Sequence, residues 1–260
     1  MTAALRAAAA QAQHEAGQSV RIAVVSAADP VDRSTGRLVH LSDAPFLVGE
    51  LNPVEVLAPQ VTGPVIVDND VNWAARAERD HGSPGSLDDF AYVFLGEGLG
   101  CAIVSDGEVS RGYAGLAGEI AHLITVGPQG QATRLIEVFG ELGLRRAGST
   151  AIDVDRLLSL VTGPDRQAAG RRHAVGRAIG GVLAAIVALA DPRLVIIGGS
   201  WGRHPAAMEA ISAAFALLPR HVPVRAAELT SHPSLAGTRS DAVQRLRSAI
   251  VAATHPARHA

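Results

Sequence analysis

The sequence predicts an α/β fold with some antiparallel strand pairing. Short apolar runs, many of them β-branched, recur along the chain, and stretches with helical apolar spacing lie between them. Clusters of glycine, proline, serine and aspartate separate these segments, as turns do. The chain has 260 residues, of which 48% are apolar, so it can bury a sizeable core as one large domain or two lobes.

The first predicted elements run from the N-terminus to a glycine- and serine-rich joint. Gly17 is a natural stop for an alanine-rich helix, and the β-branched run from Val20 is typical of a buried strand. In chain order we expect a helix at 3–16, a strand at Val20–Ser26, a loop at 29–36, an edge strand at 37–39, a strand at 64–67 and a helix at Asp70–Arg79. The turn-forming segment Ser83–Ser86 then predicts a lobe boundary.

The second half of the chain alternates in the same way. Phe90–Leu95 and Cys101–Ser105 are predicted as a hairpin-like pair of strands, and Ser105-Asp106-Gly107 closes the second. The remaining elements expected are helices at 132–143, 152–161 and 165–190, a strand at Leu194–Ile197, a helix at 204–217, a strand at 222–229 and a final helix at 238–253. The long helix must end before Asp191-Pro192, because proline cannot continue it.

Charge and composition exclude several classes of function. A net charge of −2 and a pI near 6.5 give no basic face for nucleic acid or an anionic membrane. A single cysteine, Cys101, excludes an intramolecular disulfide and a multi-cysteine metal site. The N-terminal helix lacks the apolar core of an export signal, and the longest uncharged apolar run, Ala178–Ala190, is shorter than the roughly 20 residues of a membrane span. We therefore expect a cytoplasmic protein without membrane contact.

A first polar cluster, Asp68-Asn69-Asp70-Val71-Asn72, lies where a predicted strand runs into a helix. Ligands of α/β sheets bind at the carboxyl ends of the strands. Asp70 is suited to act as a general base toward a hydroxyl group, and the Asn69 amide offers a donor and an acceptor to a polyol. The alternative is that Asp68 or Asn69 only caps the helix, as these residue types often do.

Two glycine-rich turns form further candidate sites. In Gly96-Glu97-Gly98-Leu99-Gly100 the glycines permit close approach of a ligand, although a bare hairpin turn accounts for them equally well. Glu97 argues against phosphate, since two unit charges 4 Å apart repel by about 1 kcal/mol in water and about 4 kcal/mol at a protein surface. Gly198-Gly199-Ser200 joins a strand to a helix, and either faces an anion or adenosine or serves only as a connection.

An acid–histidine pair, Glu119 and His122, follows glycines at 112, 115 and 118. The spacing brings both side chains to one side if the chain coils after Gly118, and both can then hydrogen-bond sugar hydroxyl groups. A single histidine is more often satisfied by hydrogen bonds than by a metal, and no cysteine lies nearby. We expect no metal site.

Together and in this order, these clusters resemble the ROK family (repressor, open reading frame, kinase) from about Val20 to the C-terminus. Its members are sugar kinases and sugar-responsive transcriptional regulators with a two-lobed, actin-like ATPase (ribonuclease H-like) fold. The resemblance implies that Asp70 in VDNDVN is the catalytic aspartate of a kinase and Asn69 a sugar contact. It implies further sugar contacts at Glu119 and His122 in RGYAGLAGEIAH, and at Glu137.

The resemblance also allots cofactor roles and lobes. Gly96, Gly98 and Gly100 in LGEGLG correspond to a phosphate loop, and Gly198 and Gly199 in DPRLVIIGGS to an adenosine-side turn. The expected domains are the remainder of an N-terminal lobe at 1–86, a C-terminal lobe at 87–235 and a C-terminal helix at 236–260 that returns to the first lobe.

Several departures from the family pattern change what the resemblance implies. The first phosphate loop, an aspartate–glycine–threonine hairpin, is absent, so we expect a truncated N-terminal lobe, and no winged helix-turn-helix precedes it. Kinases typically carry threonine at the position of Glu97. The family's zinc-binding cysteines are replaced by residues 127–133, and its usual proline–glycine after the early strand by Ala28-Asp29-Pro30. The GEGLG motif is most like the corresponding motif of regulators of actinobacterial type.

Three hypotheses follow. The first is a sugar-sensing effector domain of a ROK-type regulator that retains polyol contacts beside degraded phosphate machinery. The second is an ATP-dependent sugar kinase, which would need ATP and Mg²⁺, and the third is a non-functional truncated fragment. We favour the first, and so expect a small-molecule sugar as ligand, no cofactor, no zinc, a homo-oligomer and no direct DNA contact from this chain.

Overall fold

The structure is a computed structural model that describes residues 1–41, 51–82 and 87–254. The helices are α1 (Thr2–Ala16), α2 (Pro53–Leu57), α3 (Asp70–Ala77), α4 (Leu135–Glu141), α5 (Val154–Val161), α6 (Arg166–Ala190), α7 (Pro205–Ala216) and α8 (Pro233–Thr254). The strands are β1 (Ala23–Ala27), β2 (Val65–Asn69), β3 (Phe90–Leu95), β4 (Leu99–Ser105), β5 (Glu108–Val109), β6 (Ile124–Val126), β7 (Ala132–Arg134), β8 (Val195–Gly198) and β9 (Val224–Ala226). A π-helical turn follows α3 at Glu78–Gly82, and a 3-10 turn lies at Ile120–His122.

The strands form a mixed α/β arrangement, as predicted. β1 and β2 pair in parallel, with Ala27 opposite Asn69, so both strands end at the same edge. A five-stranded sheet has the order β5-β4-β3-β8-β9, in which β8 is parallel to both β3 and β9, while β4 is antiparallel to β3 and β5. The predicted hairpin of β3 and β4 is confirmed. The carboxyl ends of β2 and β3 are each followed by one of the predicted polar clusters.

β3 lies at the centre of the core because it is covered on both faces. Ala91, Val93 and Leu95 pack into a cluster with α4, α5 and α6, whereas Phe90 and Tyr92 pack into a second cluster with α3. This alternation is the period of two expected for a strand buried between helices. By length and composition alone, α6 is long and apolar enough to cross a membrane. However, 56% of its most apolar stretch is buried inside the protein, where α6 serves as a core helix.

The structure corrects several predicted elements. Residues 132–134 form β7 instead of the first turn of a helix, because they pair with β6 across a tight turn, and α4 begins only at Leu135. The predicted edge strand at 37–39 is reduced to a single bridge between Val31 and Leu38. α8 begins at Pro233, five residues before the predicted start at 238. The predicted lobe boundary at Ser83–Ser86 lies outside the described residues.

α8 packs against α3 and β1, and a glycine permits the close approach. A methyl group at Gly237 would lie 2.1 Å from the carbonyl oxygen of Trp73 on α3. Gly237→Ala is therefore expected to lower the free energy of unfolding by about 2 kcal/mol, since backbone cannot yield as a flexible side chain does. Urea denaturation followed by circular dichroism measures it.

Gly170→Ala is the matched control for that change. Gly170 is also helical, but a methyl group there meets open space. This variant is expected to gain up to about 1 kcal/mol from helix propensity. Equal losses in the two variants would contradict the packing explanation for Gly237.

Candidate functional site

A cleft of about 370 Å³ lies where the ends of β1 and β2 face the turn between β3 and β4 and the glycine-rich segment after β5. Four predicted ligand contacts and two of the predicted glycines line it: Asn69, Asp70, Glu119, His122, Gly98 and Gly100. Segments far apart in sequence thus meet at one cleft, as the carboxyl ends of neighbouring strands predict. The roles of these residues toward a ligand remain predictions.

Asn69 and Asp70 are held at the N-terminus of α3. The Asn69 side chain accepts a hydrogen bond from the backbone N–H of Val71 at 2.9 Å and so caps the helix. Its amide nitrogen donates to the carbonyl oxygen of Ala28 at 3.3 Å, which ties α3 to the loop after β1. The capping alternative from the sequence therefore holds for Asn69, and the same hydrogen bonds fix where Asp70 stands.

Asp68 belongs to the structural support beneath the cleft. It is 3% exposed and accepts hydrogen bonds from the side chains of Arg76 and Asn72, each at 2.8 Å. The Arg111 Nε lies 3.2 Å from Oδ1 of Asp68, the oxygen that also accepts from Asn72. A buried carboxylate paired in this way is satisfied, and it anchors the end of β2 from which Asp70 projects.

Asp70 and Glu119 are half-buried acids with altered titration. Burial, with a smaller contribution from the charge of Asp29, raises the pKa of Asp70 to about 6. Burial also raises the pKa of Glu119 to about 7, with additional repulsion from Asp70 and Asp29. Carboxyl groups poised near neutral pH are typical of functional sites, since they can accept or donate a proton there.

Asp29 is a cleft residue that was not predicted as a contact. It lines the cleft, is 5% exposed, and has its pKa raised by burial. One sequence feature could have indicated this role: Asp29 lies two residues after the end of β1, just as the first polar cluster lies at the end of β2. Only the parallel register of β1 and β2 places these two strand ends side by side.

Glu119 and His122 reach the cleft through a tight backbone approach. Gly118 has a φ of +98°, and a methyl group on it would lie 1.8 Å from the carbonyl oxygen of Cys101 on β4. The backbone N–H of Cys101 donates to the Gly118 carbonyl at 2.9 Å. The chain then forms the 3-10 turn Ile120–His122, and this coiling brings Glu119 and His122 to the same cleft, as predicted.

The glycine turn between β3 and β4 presents Glu97 to the cleft. Its carboxylate lies 2.5 Å from the Arg146 guanidinium, and its backbone carbonyl accepts a hydrogen bond from Ile152 N–H at 2.9 Å. A methyl group at Gly96 would meet the Phe94 ring at 2.7 Å. The absence of a side chain at Gly96 therefore serves internal packing, while Gly98 and Gly100 line the cleft.

The turn after β8 is likewise packed against protein. A methyl group at Gly198 would lie 2.0 Å from the Tyr92 hydroxyl oxygen, and one at Gly199 2.2 Å from the Leu95 carbonyl oxygen. The fully buried Trp201 follows and donates from its indole nitrogen to the Gly96 carbonyl at 2.9 Å. Close strand-to-strand contact thus accounts for both glycines, and their cofactor role remains a prediction.

Glu137 lies outside the set of residues lining the cleft. On α4 its carboxylate pairs with Arg134 at 3.0 Å and with Arg145 at 3.5 Å. It is partly exposed in this arrangement, and its predicted sugar contact stays a prediction.

Residues 127–133, which replace the family's cysteine segment, include a hydrogen-bonded turn. Gly127 N–H donates to the Gln131 carbonyl at 2.7 Å, and the Gln131 side chain donates to Glu141 at 2.7 Å. Arg177 on α6 donates to the Gly127 carbonyl at 3.0 Å. Within residues 1–41, 51–82 and 87–254, no group of three or more His, Cys, Asp or Glu side chains is arranged to hold a metal ion.

A larger cavity of about 1280 Å³ lies beneath α8, between that helix, α3 and the β1–β2 pair. Its described lining includes Arg21, Ile66, Arg111 and Gln244, and none of the predicted ligand contacts. The smaller cleft, which gathers the buried acids, is the better candidate for the functional site, because chemistry and not volume identifies a site.

Comparison with known proteins supports the resemblance. The sequence profile of the ROK family matches residues 1–239. A glucokinase of Halalkalibacterium halodurans is 46% identical over 69 residues, 26% of this chain and 21% of the relative. A xylose repressor of Caldicellulosiruptor bescii is 42% identical over 59 residues, 23% of this chain and 15% of the relative. The chain thus matches about a fifth or less of these two curated relatives.

A solved structure extends the similarity to nearly the whole fold. The crystal structure of a ROK-family glucokinase from Streptomyces griseus, in complex with glucose and AMPPNP, superposes with a TM-score of 0.69 at 25% identity. The superposition covers 94% of this chain and 87% of the glucokinase. The two-lobed, actin-like α/β fold expected from the motifs is therefore confirmed, and the chain belongs to the ROK family.

Proposed function

We propose that the cleft binds a small sugar and that the chain is a ROK-type sugar-sensing effector domain of a transcriptional regulator. The observation that carries this proposal is the contrast within one cleft. Asp70, Glu119, Asn69 and His122 converge where hydroxyl groups can be hydrogen-bonded, while the carboxylate of Glu97 occupies the turn that a phosphate would approach. Sugar binding is supported by the polar groups, and phosphate binding is opposed by charge.

A nucleotide fits the surrounding residues poorly. Gly96, Gly198 and Gly199 have no room for a side chain because protein atoms already lie there, so their missing side chains open no cradle for a phosphate. Among the described residues Glu97 has Arg146 as its ion-pair partner, and because that guanidinium is half exposed it offsets the carboxylate charge only in part. The relatives include both a glucokinase and a xylose repressor, so the family alone is compatible with either role.

Isothermal titration calorimetry with a panel of hexoses, amino-hexoses and pentoses tests sugar binding. We expect one class to bind, and binding to none of them would contradict the proposal. A coupled assay of ADP release in the presence of ATP, Mg²⁺ and the bound sugar is expected to show no sugar-dependent turnover.

Glu97→Thr tests the charge argument directly. Removing the carboxylate from the turn is expected to strengthen ATP binding by up to about tenfold, equivalent to about 1.4 kcal/mol, because one like-charge repulsion disappears. Calorimetric titration with ATP measures it. Glu108→Thr is the control, since Glu108 is exposed on β5 and does not line the cleft; an equal gain in both variants would contradict a local role for Glu97.

The second candidate function is an ATP-dependent sugar kinase, and one observation favours it. Asp70 stands half-buried in the cleft with a pKa of about 6, which suits a general base at neutral pH. Sugar-dependent ADP release that disappears in Asp70→Asn would establish this function in place of sensing.

A further inference from the structure

Asp29 adds a third acidic side chain to the cleft, beside Asp70 and Glu119. It stands two residues beyond the end of β1 and is 5% exposed. Its backbone carbonyl lies 3.4 Å from the Asn69 amide nitrogen, which holds the loop against α3. The position of Asp29 is therefore determined by the same hydrogen bonds that place Asp70.

The carboxylate of Asp29 lacks the partners that the other buried acids have. In the part of the chain that the structure describes, no hydrogen bond reaches its side chain, and its favourable electrostatic interaction is with the exposed His40. Asp68, by contrast, is paired with Arg76 and Arg111. The Asp29 oxygens are not among the fully enclosed polar atoms of the described residues, so the carboxylate stays open to a group that arrives in the cleft from outside.

The cleft has an excess of negative charge where Asp29 lies. Asp29, Asp70 and Glu119 interact repulsively with one another, and no arginine is among the cleft-lining residues that the structure describes. Glu97 already has Arg146 as its partner. A neutral sugar leaves this repulsion in place, whereas a cationic group among the three carboxyl groups would relieve it.

We propose that Asp29 is a specificity-determining residue that selects a sugar carrying a free, protonated amine, with the Asp29 carboxylate as the partner of the ammonium group. Asp70 and Glu119 remain available for hydroxyl groups of the same ligand. The inference rests on the proposed sugar binding of this cleft and narrows its substrate class to amino-hexoses that are not acylated. A charged group that pairs with a buried acid also discriminates strongly, since the partner is left unsatisfied when the amine is missing.

Calorimetric titration with glucose, glucosamine and N-acetylglucosamine tests the proposal, at a pH where the amine is protonated. Glucosamine is expected to bind at least tenfold more tightly than the other two. Asp29→Asn is expected to weaken glucosamine binding at least tenfold and to leave glucose binding within about threefold, because the amide keeps the shape and removes the charge. Asp155→Asn, an exposed site on α5, is the control for an equal change in net charge and should alter neither.

Each result separates the inference from the function on which it rests. Glucose binding without preference for glucosamine, or equal losses for both sugars in Asp29→Asn, would overturn the role of Asp29 while sugar binding stands. Binding of none of the three sugars would overturn the role of Asp29, and binding of none of the wider panel of hexoses, amino-hexoses and pentoses would overturn sugar binding as well. Asp29→Ala, with a thermal melt of each variant, provides a second removal of the carboxylate should asparagine disturb the loop, and it is expected to show the same selective loss.

Discussion

Asp70→Asn is expected to weaken sugar binding at least thirtyfold while making the chain more stable at pH 8. The loss of affinity, about 2 kcal/mol, reflects a charge-assisted hydrogen bond to a sugar hydroxyl in a half-buried cleft. The gain in stability has a separate cause. Burial and the neighbouring Asp29 disfavour the charged form of Asp70 in the folded chain, and asparagine has no charge to bury.

The direction of the pH dependence follows from the raised pKa values. Asp70 titrates near 6 and Glu119 near 7 in the folded chain, above the unfolded values near 4. The folded state therefore binds more protons than the unfolded state between these values, so their contribution to stability is fully present below about pH 4 and is lost as pH rises through 6 and 7. For Asp70 the loss by pH 8 is on the order of 2–3 kcal/mol.

Urea denaturation at pH 5 and pH 8 measures this effect in the unaltered chain, Asp70→Asn and the control Asp155→Asn. The unaltered chain and the control should lose the same amount of stability from pH 5 to pH 8. Other titrating groups are common to all three proteins, so their contributions cancel in the comparison. The loss should be smaller in Asp70→Asn. Unchanged pH dependence together with unchanged sugar affinity would mean that Asp70 is not buried in the cleft as described.

Gly118→Ala is expected to lower the free energy of unfolding by about 4 kcal/mol and to eliminate sugar binding. A methyl group at this position would stand 1.8 Å from the Cys101 carbonyl oxygen, and the φ of +98° is one that alanine rarely adopts. The segment must then move away from β4, and Glu119, the next residue, moves with it. Chemical denaturation and calorimetric titration measure the two losses.

Gly130→Ala separates the conformational cost from the clash. Gly130 has a similar φ of +91°, but a methyl group there has no neighbour within 4 Å. The control is expected to lose only about 1 kcal/mol and to bind sugar normally. Losses of similar size in the two variants would show that the close approach of Gly118 to β4 does not position Glu119.

Local patterns were enough to predict most of the elements. The β-branched and apolar runs predicted β1, β2, β3, β4 and β8. Burial on both faces explains the apolar runs of β3 and β8. The expected burial of β1 was wrong, since only Ala27 of that strand is buried. The helix at 165–190 followed from its length and from Asp191-Pro192, and α6 ends at Ala190. β7 was mistaken for helix because three residues carry too little periodicity, and their structure depends on pairing with β6.

For the candidate site, too, the local sequence predicted some features and not others. That Asp70 and Asn69 follow a strand, and that Glu119 and His122 follow a glycine-rich segment, could be read from neighbouring residues, and all four line one cleft. Glu137 shows the limit of such inference, since the ion pairs that hold it come from Arg134, three residues away, and from Arg145 on a different segment. No local pattern indicates which partner a charged side chain finds.

The sequence by itself determined the fold class, the family and the residue types available for binding a sugar, because strand and helix patterns and the order of motifs are local properties of the chain. Only the tertiary structure decided that Asp29 joins Asp70 and Glu119 in one cleft. It also decided that Asp68 forms ion pairs beneath the cleft, and that the lack of a side chain at Gly198 and Gly199 permits close packing. Burial and electrostatic repulsion depend on distances between segments far apart in sequence. Those distances arise from the parallel pairing of β1 with β2 and from the approach of Gly118 to β4.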